Sequence, residues 1–187
     1  MTFFELSKVK SAIANSDALC GETKIVTIDG PAGSGKTTLA HELSISLSDA
    51  NGPMSVVHLD ELYEGWDDAL GQKLFDRIEA WVLTPIKNGL SPKHLTYDWH
   101  QSKYASWSEL PLTPIVIIEG VGAAQQIVRE TGATTYWLDI EPEIGLRRVL
   151  DRDGAHIEVQ MRQWQVDQDK HFARDETREN CEVKLTS

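Results

Sequence analysis

The sequence predicts an α/β protein built on a doubly wound, mainly parallel sheet. Three observations carry that expectation. A glycine-rich loop, "GPAGSGKTT", stands between an apolar run and a helical one. Short apolar runs alternate along the whole chain with segments of helical periodicity, and proline and glycine close several of those segments. Strands separated by helices imply right-handed crossovers, hence parallel pairing with helices on both faces.

The elements follow in order. Residues 2–15 space Phe3, Leu6, Val9 and Ile13 as one helical face, with Thr2 placed to cap it. "KIVTI" reads as a buried strand and "KTTLAHELSISL" as the helix after the loop. "PMSVVHLD" is a second strand ending in Asp60. Leu70, Leu74, Ile78 and Trp81 then mark a helix within "DDALGQKLFDRIEAWVLTPIKNG", stopped near Pro85 and Gly89. The polar, aromatic-rich "LSPKHLTYDWHQSKYASWSELPL" has poor periodicity, which predicts short strands or an ordered loop. "PIVIIEG" is a strand, "GAAQQIVRE" a helix, "TTYWLDI" a strand, and "EPEIGLRRVLDRD" a helix with Pro142 in its first turn. A last helix over residues 158–174 precedes an edge strand, "CEVKL".

Composition narrows what such a chain does. With 187 residues it is one domain with a real core. Its 29 acidic and 18 basic residues give a formal charge of −11, which argues against binding nucleic acid or an anionic membrane. No apolar run approaches a membrane span, so a cytoplasmic protein is expected. Cys20 and Cys181 lie far apart and form no metal-like cluster; both are expected as reduced thiols. The expected partner is a small-molecule substrate, with a homo-oligomer possible.

The chemistry is announced by Gly30, Gly35, Lys36 and Thr37, which fit G-x-x-x-x-G-K-[ST], with Gly33 inside the loop. This loop turns backbone N–H groups inward onto phosphate oxygens at a helix N-terminus. Residues Ala32, Gly33, Ser34, Gly35, Lys36, Thr37 and Thr38 are therefore the expected ATP-binding set, Lys36 reaching the β/γ-phosphates and the Thr37 hydroxyl ligating Mg²⁺. The expected architecture is the three-layer P-loop NTPase fold.

Ligands of open α/β sheets gather at the carboxyl ends of the strands. Asp60, Glu119 and Asp139 each close an apolar run. Glu119 is the candidate acid beside the metal. Asp60 is the candidate base for an attacking hydroxyl, with a helix N-cap as its alternative job. Asp139 leads into the helix at Pro142. Arg148 and Arg152 share a helix face and would stabilise the transferring phosphoryl group, whereas Arg147 points elsewhere and reads as a solvated charge.

"GPAGSGKTT", "LDELYEGWDDAL", "YDWHQSK", "IVIIEG" and "LRRVLDRD", in this order, resemble the uridine kinase family of P-loop kinases, a group that includes phosphoribulokinase-like and pantothenate kinase-like cores. The likeness runs over residues 24–185. It implies an ATP-dependent kinase acting on the 5′-hydroxyl of a nucleoside such as uridine or cytidine, with Asp60 as base. It further implies that Tyr63, Asp67, Asp68, Tyr97, Trp99 and His100 bind the acceptor, within a substrate segment at about residues 61–112. Arg147, Arg148 and Arg152 align with the family's double-arginine lid, here over about residues 147–157. Leu62 replaces an aromatic of the family's D-x-F-Y, Lys103 an arginine, and "RDGAHIEV" lacks its R-G-R. Kinases of other alcohols and a slow nucleotide-hydrolysing switch are the competing classes.

Overall fold

The computed structural model describes residues 3–186, with the side chains of residues 3–8 and 49–51 left out; the proposed cap Thr2 therefore lies outside the described residues. Helix α1 (Phe3–Asn15) leads into β1 (Lys24–Asp29), the glycine loop and α2 (Lys36–Asn51). Strand β2 (Ser55–His58) ends in a single tight turn, Leu59–Glu61. Helix α3 (Gln72–Arg77) runs through a wide π turn, Ile78–Leu83, into α4 (Thr84–Lys87). Strands β3 (Lys93–Asp98) and β4 (Lys103–Glu109) form an antiparallel hairpin. Then come β5 (Ile115–Glu119), α5 (Gln126–Arg129), β6 (Thr134–Asp139), α6 (Pro142–Asp153), α7 (Glu158–Asp175), α8 (Thr177–Asn180) and β7 (Val183–Thr186).

The main sheet has five parallel strands in the order β2-β5-β1-β6-β7. Its strands alternate faces, and both faces are buried. Val26, Ile28, Ile115, Ile117, Tyr136 and Leu138 meet Val9 and Ile13 of α1 and Leu39, Leu43 and Leu47 of α2. Ile25, Val57, Val116, Ile118 and Trp137 meet the helices of the opposite side, from α3 through α7. That two-sided burial is why these strands read as continuous apolar runs. The layering matches the expected three-layer arrangement, with β7 at the edge.

Three local differences have physical causes. The segment "GAAQQIVRE" is helical only over Gln126–Arg129, because Gly122 is left-handed (φ 88°) and Gln125 is extended (ψ 160°), so the backbone before Gln126 is not wound as helix. The helix expected from "DDALGQ" starts only at Gln72, since Asp68 is left-handed (φ 54°) and its carbonyl closes a turn onto Gly71. The aromatic segment is a hairpin, the strand alternative.

Candidate active site

The sheet register assembles the site. β5 lies between β2 and β1, and Glu119 pairs in register with His58 on one side and Ile28 on the other. The carboxyl ends of these three strands therefore open onto one place, where the phosphate loop begins. Two glycines of that loop are forced by space and by backbone angle. Gly30 (φ 139°) lies so close to the Leu138 carbonyl, and Gly33 (φ 79°) to the Gly145 carbonyl, that a Cβ would collide with either.

Lys36 opens α2 and folds back along the loop, its Nζ donating to the carbonyls of Gly30 and Pro31 at 2.8 Å each. Burial pulls its ammonium below the ordinary lysine range, while Asp29, Glu119 and Asp60 act to keep it charged. The backbone N–H groups of Lys36, Thr37 and Thr38 belong to the first turn of a helix and have no helical acceptor. Ser34 is fully buried and its hydroxyl has no protein partner. Loop amides, an unpartnered hydroxyl and a lysine form a cradle fitted to polyphosphate oxygens. The Ala32 amide donates to Oε1 of the buried Gln168 at 3.0 Å, so α7 holds the outer arm of the loop. Arg148 on α6 donates to the Gly33 carbonyl at 3.3 Å.

The Thr37 hydroxyl donates to Oε1 of Glu119 at 3.0 Å, and His58 Nδ1 meets the same oxygen at 2.6 Å. Glu119 is nearly inaccessible. A buried carboxylate beside the loop threonine suits a divalent cation reached through oxygen ligands or water. Asp60 follows two residues after His58 in the turn after β2. Its own surface is open to solvent, yet the crowding protein and then the charge of Glu119 raise its carboxyl above the usual range. Arg152, paired side-on with Asp153 at 2.7 Å, contributes positive field at both Asp60 and Lys36. Arg147 is exposed.

Aromatic rings stand next to Asp60. Trp99 donates its indole N–H to the Asp60 carbonyl at 3.0 Å, and Trp66 packs on Trp99 at 5.1 Å and on Trp164 at 6.0 Å, both edge-to-face. Trp66 and Trp99 are half-buried. Tyr97 is buried between Trp99 and Tyr104, a support beneath the wall. Tyr63, expected to touch the acceptor, has a different job here: its hydroxyl donates to the Val121 carbonyl at 2.8 Å and its ring packs on Trp164, leaving 4% of it exposed. Asp67 is exposed in the turn before α3. Asp68 lines a cleft of about 1050 Å³ shared with Gln125, Arg129 and His171. His100 is exposed in the tip of the hairpin, its amide held by Asp98. Asp139 pairs with Arg178 at 2.8 Å in both directions of the fork, which keeps its carboxyl below the usual range. The lid segment is ordered as the end of α6, Gly154 and one tight turn, Ala155–Ile157, before α7.

Sequence reasoning passed over Asp29, His58, Trp66, Trp164 and Gln168. Asp29 was detectable as the residue directly before Gly30, and Trp66 as the neighbour of Asp67. Gln168 carries no signal, because its partner lies 136 positions away.

No protein-family model matches the chain, and no curated protein matches it. Solved structures do. A candidate uridine kinase from Bacillus stearothermophilus is 19% identical, with a TM-score of 0.69 and 96% of each chain covered. A candidate fructose transport system kinase from Silicibacter sp. TM1040 is 18% identical, with a TM-score of 0.74 and 99% of each chain covered. A circularly permuted candidate P-loop kinase from Saccharomyces cerevisiae is 13% identical, with a TM-score of 0.60, over 97% of this chain and 99% of that one. With its phosphate loop, its five parallel strands and these neighbours, the chain has the fold of the uridine kinase-like P-loop kinases.

Proposed function

We propose that this protein is an ATP-dependent phosphotransferase that moves the γ-phosphoryl group to a hydroxyl of a small molecule, a nucleoside such as uridine or cytidine being the first candidate. One observation carries the reading: a phosphate loop whose threonine touches Glu119 opens beside Asp60, and Asp60 is bordered by the indole of Trp99, on which Trp66 packs. Lys36, the loop amides and Arg148 would hold the triphosphate. Mg²⁺, held by Thr37 and Glu119 directly or through water, would neutralise charge on the transferring group. Asp60 would accept the proton of the attacking hydroxyl, a role its raised carboxyl favours. In-line transfer asks for positioning and charge neutralisation, which this set supplies.

The charge around Asp60 selects among acceptors. Lys93 is paired with Glu109, and His94 is buried against Glu61, so neither lends free positive charge to the acceptor side. Glu61 and Glu119 place negative charge at Asp60 instead, against the positive field of Arg152 and His58. That balance favours an uncharged acceptor over a sugar phosphate, a sugar acid or a pantothenate-like alcohol. Indole faces also suit a sugar ring, and the likeness to a candidate fructose transport system kinase makes an unphosphorylated sugar the second reading.

The test is a coupled-enzyme screen of nucleosides, sugars, sugar phosphates and pantothenate with Mg-ATP, run beside Lys36→Ala. Phosphorylation of a nucleoside by the wild type and none by a folded Lys36→Ala supports the proposal. ATP hydrolysis at one rate with and without every acceptor would point to a nucleotide-driven switch, and full activity of Lys36→Ala would remove the phosphate-loop assignment.

A further inference from the structure

The buried carboxylate of Asp29 belongs to no step above, yet it joins the two loops on which the site stands. It closes β1 and has no solvent exposure. Its Oδ1 accepts the N–H groups of Gly30 at 2.7 Å and Gly122 at 3.0 Å, and its Oδ2 accepts that of Ala124 at 2.8 Å. Gly30 opens the phosphate loop, whereas Gly122 and Ala124 belong to the segment that follows Glu119. Tyr63 holds the Val121 carbonyl of the same segment, and the Gln125 side chain holds that of Gly122 at 3.0 Å. Asp29 is the single side chain among these that also grips the phosphate loop.

We propose that Asp29 is a positioning residue, whose ionised carboxylate fastens the phosphate loop to the segment behind Glu119 and so keeps the loop in its nucleotide-binding shape. The inference rests on the kinase reading of the loop. Three backbone N–H groups converge on it, and only a group with two acceptor oxygens can take all three. An asparagine in its place would keep one acceptor and set its own NH₂ against the third amide, donor facing donor. A protonated aspartate keeps two oxygens but loses the charge that strengthens these three bonds, so its hold on the loop is weaker.

Protonation is within reach of ordinary buffers, because burial pushes this carboxyl up to about 6 against the pull of its amide partners and of Lys36. The charged or titratable groups around it are the Lys36 ammonium from α2, the Tyr63 hydroxyl after β2 and the Cys181 thiol before β7. Lys36 does not bond Asp29; its ammonium is engaged by the Gly30 and Pro31 carbonyls. If only the ionised form is competent, affinity at pH 5 falls by about tenfold relative to pH 7, in proportion to the ionised fraction.

The experiment is calorimetric titration of Mg-ATP, with no acceptor present, into wild type, Asp29→Asn and Asp29→Ala at pH 7.5 and pH 5, with circular dichroism reporting the fold. Both folded variants are expected to bind about tenfold more weakly than wild type at pH 7.5, and the extra loss on acidification is expected in wild type alone. Wild-type affinity in Asp29→Asn, or the same pH dependence in both proteins, would overturn the proposal. Should neither variant fold, the wild-type series decides: a dissociation constant that rises less than threefold between pH 7.5 and 5 overturns it. A wild type that binds no Mg-ATP at all removes the kinase reading and this inference together, whereas equal binding by wild type and variants removes this inference alone.

Discussion

At the scale of single residues, the site divides into groups whose chemistry is visible in their neighbours. Asp60 is the sharpest case. Its carbonyl is occupied by Trp99, which fixes the backbone, while its carboxyl is raised by the surrounding protein and by Glu119. Asp60→Asn should therefore leave Mg-ATP binding near normal and lower kcat for the acceptor by about 10²-fold or more, the usual scale of general-base loss. Undiminished kcat would reduce Asp60 to a turn residue. Lys36 and Thr37 were readable from the glycine-loop motif, and Glu119 and Asp60 as acids that close apolar runs. Tyr63 was not: its motif suggested a substrate contact, but whether a hydroxyl points into a cleft or onto a carbonyl depends on a segment 58 positions away.

At the scale of elements, α6 and the phosphate loop are pressed together through two glycines. A Cβ on Gly33 would strike the Gly145 carbonyl, and one on Gly145 would come within 2.6 Å of the Ala32 carbonyl. Gly145 is helical, so an alanine suits its backbone and only the space is lacking. Gly145→Ala should push α6 off the loop, weakening Mg-ATP binding by about tenfold and lowering stability by about 1–3 kcal/mol, the scale of overpacking. Unchanged affinity and melting temperature would show that the two elements give way freely. Elements with strong periodicity, such as α2 and α7, were legible in the chain. Those decided by a distant partner were not: the segment before α5 runs in left-handed and extended backbone, with its Gly122 and Ala124 amides bound by an Asp29 that lies 93 and 95 positions earlier.

For the whole molecule, buried charge couples stability to pH in opposite directions. Asp29 has a folded value of about 6, above its ordinary 3.8, so its protonated form is the one the fold prefers. Its contribution to stability is fully present below about 4 and is lost as pH rises through about 6. Asp139, held low by Arg178, works the other way: its contribution is present above about 4 and lost as pH falls further. Between pH 7.5 and 5 the melting temperature of wild type should thus rise relative to Asp29→Asn by a few degrees, measured by scanning calorimetry; a constant difference would mean that Asp29 does not titrate there. No helix among the described residues is long and apolar enough to cross a membrane. By itself the sequence determined the layered parallel sheet, the phosphate loop and the acids at its strand ends, because periodicity, glycine demands and strand-end placement are local properties. Only the tertiary structure decided that Glu119 touches Thr37, that Trp66, Trp99 and Trp164 stand together, and that Asp29 ties two loops into one. Those contacts join positions far apart in the chain, and they are set by sheet register and helix packing, which no local pattern encodes.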